Sequence, residues 1–232
     1  MSEPNVNAIP TPRRRTNVRV LPSLAMLTAI AYVVMILSKS LPQVSGFLQL
    51  DLKDTIICIG GFVYGPLAAA VISIVVAVVE MFTYSDTGPI GCIMNTLATA
   101  SFCCTASFVY KKVHTKKGAV LGLALAVVVL VAVMLLWNYL ITPLYMTNFS
   151  RADIAAMLPT IFLPFNLVKG GLNMAVILLL YKPVVTALRK AKLVPPSQTI
   201  VTGGKINAGF LLFALALLAT FVTLALVLMG IL

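Results

Sequence analysis

Charge is scarce in this chain. Only 10% of its 232 residues are Asp, Glu, Lys or Arg, where a soluble domain carries about 25%. So few charges cannot clothe a solvated surface, and a soluble globular fold is excluded. Histidine occurs once, at His114 in a basic loop, and reads as a solvated loop residue rather than a catalytic one. The four cysteines, Cys58, Cys92, Cys103 and Cys104, all fall within apolar runs. No pair has metal-ligand spacing, and a buried free cysteine behaves as a small hydrophobe. The stretch TGGKI at 202–206 lacks the G-x-x-x-x-G-K-S/T frame of a phosphate loop, so no ATP site is visible. No nucleophile stands beside a base. The expectation is therefore no enzyme, no metal and no resident cofactor. A chain of this kind that moves a solute uphill takes its energy from a partner or an ion gradient. The two-halves symmetry common in secondary transporters is also missing.

Apolar side chains, in contrast, make up 60% of the sequence, against about 45–50% in soluble domains. The bilayer is the natural solvent for such a chain. Apolar segments run over roughly 19–39, 53–64, 66–82, 88–110, 118–141, 160–182 and 206–232. Crossing the hydrocarbon takes about 20 helical residues. The second segment is too short to cross upright, and Tyr64-Gly65-Pro66 marks a turn into the third, so a short or tilted helix is expected there. The net charge of +11 does not point to nucleic acid, because the basic residues cluster between apolar runs, where they set orientation. With a cytoplasmic N-terminus, 13 of the 17 basic residues lie inside, and only Lys39, Lys53, Arg151 and Lys169 lie outside. The organisation expected is a basic cytoplasmic tail at 1–18, a membrane domain at 19–190, a cytoplasmic linker at 191–205 and an additional transmembrane helix at 206–232.

Polar residues near the outer helix ends carry the functional signal. In PFNLVKGG, followed by LNMAVILLLY, residues Asn166, Lys169, Gly170 and Asn173 follow i, i+3, i+4, i+7 spacing and share one helical face. If that helix begins near Thr160, Lys169 lies about 14 Å along it. A charge in a span is costly, so the amine either snorkels or holds a ligand. In LLWNYLITPLY, Trp137 and Tyr139 flank Asn138. Trp137 and Tyr145 read equally well as an interfacial aromatic belt, and the Asn138 amide needs a partner. In GFLQLDLKD, Phe47, Leu48 and Leu50 precede Asp51. That carboxylate is read as a cap on the second helix, with the loop able to cover a ligand. Asn95 in the fourth helix either binds substrate or bonds to a neighbouring helix.

Taken in order, these pieces resemble the substrate-binding S components of energy-coupling factor (ECF) vitamin transporters, specifically the riboflavin-binding RibU type. The similarity spans LAMLTAIAYVVM, FLQLDLKD, IGGFVYGPLAA, GPIGCIMNTLAT, HTKKGA, WNYLITPLY and PFNLVKGG. It implies an all-α integral membrane protein, a six-helix S-component bundle with an extra C-terminal transmembrane helix here. It implies a plasma-membrane protein that captures riboflavin, or flavin mononucleotide, outside the cell. Delivery would follow association with a transmembrane coupling (T) subunit and two ATPase subunits. Asn138, Asn166 and Lys169 match positions that hydrogen-bond the flavin, and Leu48 to Asp51 match the lid. Ala25 and Ala29 match the small-residue docking pattern for the coupling subunit, or are lipid-facing filler. A flat, largely apolar ring suits a slot built from Phe47, Trp137, Tyr139 and Phe165 with a few polar groups to orient it. A site without opposite charges around it suits an uncharged ligand. Glu80, Met81 and Phe82 depart from the family pattern, and the seventh helix has no place in it. The alternatives are an S component for another vitamin or precursor and a solitary ion-coupled secondary transporter.

Overall fold

The structure, a computed structural model, describes residues 20–85, 87–146, 148–191 and 208–232. The expected tail at 1–18, nearly all of the linker at 191–205, and Asp86 lie outside the described residues. Helices run in the order α1 (Val20–Ser38), α2 (Lys53–Tyr64), α3 (Pro66–Thr83), α4 (Gly88–Lys112) and α5 (Lys116–Leu140). Two short helices follow, α6 (Thr142–Tyr145) and α7 (Arg151–Met157), then a π turn (Leu158–Phe162), α8 (Leu163–Lys190) and α9 (Ala208–Leu228). Among the described residues, six helical stretches are long and apolar enough to cross a membrane. The chain is a multi-pass membrane protein. Its outward faces carry Leu21, Val33, Leu67, Phe82 and Leu136, all well exposed, as a surface solvated by lipid tails requires.

Helix α2 stops where its sequence says it must. Gly65 takes φ 97°, a left-handed value that costs other residues a steric clash. Pro66 then opens α3, where its missing N–H is no loss. With only 12 residues, α2 survives because protein surrounds it. It packs against α1, α3, α4 and α8, and every residue from Lys53 to Gly61 is buried. Gly61 permits the closest approach: a Cβ there would overlap Ser107 Oγ and come within 2.9 Å of the Ala69 Cβ.

The apolar core runs the length of this arrangement, with Leu27, Ile57, Ile72, Phe102, Leu130 and Ile177 buried in one cluster. Lipid tails are as apolar as these side chains, so the cluster contributes close packing rather than release from water. At the Gly65 end, Phe62, Tyr110 and Tyr181 stack together, with ring centroids 4.6 to 5.8 Å apart and the two tyrosine hydroxyls 3.0 Å from each other.

The sixth apolar segment differs from expectation. Its helical rod runs from Arg151 to Lys190, not from 160 to 182. Ser150 starts it with a reciprocal capping box to Asp153. Pro159 and Pro164 are absorbed near the starts of the π turn and of α8. Pro183 sits inside α8, which continues past it. The 14 Å depth of Lys169 reckoned from Thr160 is therefore replaced by about 27 Å of rod measured from Arg151.

Candidate functional site

The α1–α2 loop folds over the first half of α8. Val44 and Leu48 exchange both backbone hydrogen bonds, at 2.7 and 3.0 Å, around Ser45 and Gly46, both at positive φ. Gln49 ties the turn to α1 by donating to the Lys39 carbonyl at 2.9 Å. Leu50 then drops into an apolar cluster with Phe165 and Val168 of α8, and Leu48 packs against its edge. Phe47 meets the Phe162 ring edge-on, with centroids 6.1 Å apart.

Asp51 follows, and here the structure corrects the sequence reading. Its carboxylate does not cap α2: Leu52 holds that position and makes no side-chain cap. Asp51 instead accepts a hydrogen bond from Lys169 Nζ at 2.9 Å. The expected absence of opposite charges is overturned as well. Lys53 lies 3.8 Å from Asp51 and 2.8 Å from Glu80, and Lys39 reaches Glu80 at 3.2 Å. Asp54 accepts from Thr99 at 2.7 Å. Asn173 knits the layers together, donating to the Asp51 and Lys169 carbonyls and accepting from Thr55. Desolvation makes isolated buried charges untenable, and pairing is what permits them. Burial pushes the Asp51 carboxyl up, but the Lys169 and Lys53 ammoniums outweigh it and hold it at about 2, below its usual 3.8.

The two asparagines are placed differently. Asn166 is buried, and its Nδ2 donates to the Phe162 carbonyl at 2.8 Å. Phe162 is the last residue of the π turn, an irregularity often found at functional sites. Asn138, also buried, donates to Met134 and accepts from Thr142 at 2.9 Å. Trp137 is half-buried, and its indole N–H has no partner among the described residues; the same holds for Asp51 Oδ1. Leu48, Leu50, Asp51, Phe165 and Lys169 are thus brought together, with Asn166 on the same stretch of α8. Tyr139 is exposed and is not joined to this group by any described contact. Asn95 is half-buried on α4 and, among the described residues, makes no bond to a neighbouring helix, one of its two readings. Ala25 and Ala29 both face outward on α1.

Lys53, Glu80 and Asp54 were missed as members of this cluster. A signal was present: Glu80 interrupts an otherwise apolar run, and an acid inside a span needs a named partner.

A lipid-clad helical bundle that keeps ionised and amide groups at one end under a folded loop is built as a membrane transport protein. The model of the family "ECF transporter, substrate-specific component" matches residues 19–181, and the chain belongs to that family. Among proteins it resembles is the riboflavin transporter RibU of Staphylococcus aureus (strain TCH60), 33% identical over 173 residues, covering 72% of this chain and 91% of that one. The riboflavin transporter FmnP of Bacillus subtilis (strain 168) is 29% identical over 154 residues, covering 63% and 81%. A solved S component of a bacterial ECF transporter superposes with a TM-score of 0.62 at 29% identity, over 74% of this chain and 98% of that one.

Proposed function

We propose that this chain is the riboflavin-binding, substrate-specific subunit of an ECF transporter in the plasma membrane. Its N-terminus is cytoplasmic, and the end bearing the α1–α2 loop faces outside. The observation that carries the reading is the convergence of Lys169, Asn166 and the Leu48–Asp51 loop on one end of α8, in a chain similar to named riboflavin transporters. Isoalloxazine is flat and neutral, with carbonyl and imide groups along one edge. Apolar walls from Leu48 and Phe165 suit its faces. Amide groups can donate and accept, and an ammonium donates to carbonyl oxygen. The charge cluster does not conflict with a neutral ligand, because its three carboxylates and three ammoniums sum formally to zero.

Energy for uptake comes from partners: a transmembrane coupling subunit, docked on the α1 face that carries Ala25 and Ala29, and two ATPases. Small residues let helices approach closely within lipid. The test is a titration of the purified full chain in detergent with riboflavin, read as quenching of Trp137, the single tryptophan. Saturable binding below micromolar concentration is expected, with flavin mononucleotide, thiamine, biotin and pantothenate as competitors. A wild-type protein that ignores riboflavin but takes another vitamin overturns the ligand assignment.

A further inference from the structure

Helix α9 lies outside the residues that match the family model, which end at 181. It is nonetheless packed into the bundle along one stripe. Phe210, Ala214 and Leu217 join the main core, while Phe221, Ala225 and Leu228 join the second cluster. These six recur every three or four residues, as one face of a helix does. The rest of α9 is mostly exposed, consistent with lipid.

The second cluster is where α9 acquires a role. Its buried members are Val44 and Leu50 from the α1–α2 loop, Phe165 and Val168 from α8, and Ala225 from α9. Leu48, Phe221, Leu228 and Met229 pack around them. The last turns of α9 therefore share one apolar cluster with the loop and with the stretch of α8 that presents Asn166 and Lys169. The approach of α9 to α8 depends on a missing side chain: a Cβ on Gly171 would overlap the Phe221 ring.

We propose that α9, with Met229 just after it, is a built-in brace in which Phe221, Ala225, Leu228 and Met229 hold the α1–α2 loop closed on α8, making them positioning residues for the ligand. The ligand-related part rests on the riboflavin reading above. The loop has holds of its own, the Gln49 tie, Phe47 against Phe162 and the Asp51–Lys169 ion pair, while Val44 and Leu50 are seated in the apolar cluster that α9 completes. An additional apolar wall raises the cost of lifting Val44, Leu48 and Leu50 away. Opening of such a loop is a local event whose free energy follows its buried contacts, and removing contacts present only in the closed state accelerates ligand exit more than it slows entry.

The experiment uses the full chain in lipid nanodiscs and two readouts. One is the riboflavin dissociation rate; the other is amide hydrogen exchange across residues 44–52 without ligand. Phe221→Ala and Met229→Ala are expected to speed dissociation, the former about tenfold, equivalent to ~1.4 kcal/mol. Both are expected to raise exchange in the loop, with the α2 and α4 amides unchanged. Phe221→Leu should keep both readouts close to wild type, Gly171→Leu should reproduce the Phe221→Ala effect by pushing α9 off, and Val222→Ala on the exposed face should leave both readouts as in wild type. If Phe221→Ala does not fold, Met229→Ala and Gly171→Leu decide. If wild type takes up no riboflavin, the function proposal falls and loop exchange alone decides the brace. Unchanged loop exchange in the Phe221 and Met229 variants overturns it.

Discussion

Lys169 is at once a candidate ligand group and half of a buried ion pair, and a single substitution cannot separate these roles. Removing one partner of a buried pair costs about 3–5 kcal/mol, because the other charge is left uncompensated. Lys169→Met should accordingly lower the thermal stability of the purified protein as well as its riboflavin affinity. Replacing both partners, as in Asp51→Leu with Lys169→Met, should recover most of the stability. If affinity returns with it, Lys169 is structural only; if affinity stays lost, the ammonium serves the ligand. Asn138→Ala should also weaken binding more than Lys190→Ala, which alters a charge at the opposite end of α8. The pair has a pH signature. Because the Asp51 carboxyl is held down at about 2 from 3.8, its contribution is complete above the ordinary value and is lost as pH falls through the lower one. The difference in melting temperature between wild type and Asp51→Asn should thus be the same at about pH 7 and about pH 5, and should shrink only below about pH 4.

Among the elements, α2 is the most constrained, and its ends were legible. The sequence places it at 53–64, and the structure agrees to the residue, because Tyr64-Gly65-Pro66 leaves the backbone little choice. The rod of α7, the π turn and α8 was less legible. Prolines at 159, 164 and 183 read as breaks. Each is tolerated, two near the start of a helical segment and one within α8 past the matched family residues. The stripe on α9 could have been read from its spacing, but not what it would touch. Nor could pairing alone be deduced for Lys53 and Glu80, which are 27 residues apart; only antiparallel packing of α2 on α3 brings them together. Crowding around Gly61 yields a further expectation. Gly61→Ala gains at most about 1 kcal/mol of helix propensity, while overpacking costs about 1–3 kcal/mol, so the variant should melt below wild type. A higher melting temperature would mean that the α2–α4 contact is looser than described.

For the whole molecule, the sidedness of charge is sharper than a count of basic residues conveys. Of the four assigned outside, Lys39, Lys53 and Lys169 are each paired with a carboxylate. Arg151 is left as the one outside cation not in that cluster, against thirteen basic residues assigned inside. With seven segments, including the short α2, the end of α9 should emerge outside. Alkaline phosphatase fused after Leu232 is expected to be active and a fluorescent protein there dark; the reverse would invert the proposed orientation.

The balanced cluster reaches one step further. Moving one elementary charge through the full membrane potential is worth about 2.3 kcal/mol per 100 mV. A body whose clustered cations and anions cancel, loaded with an uncharged vitamin, carries no such lever. Whatever rearrangement brings the cargo across is expected to be electrically silent. Vitamin uptake by the assembled transporter in vesicles should then proceed at the same rate whether an imposed diffusion potential is negative, zero or positive inside.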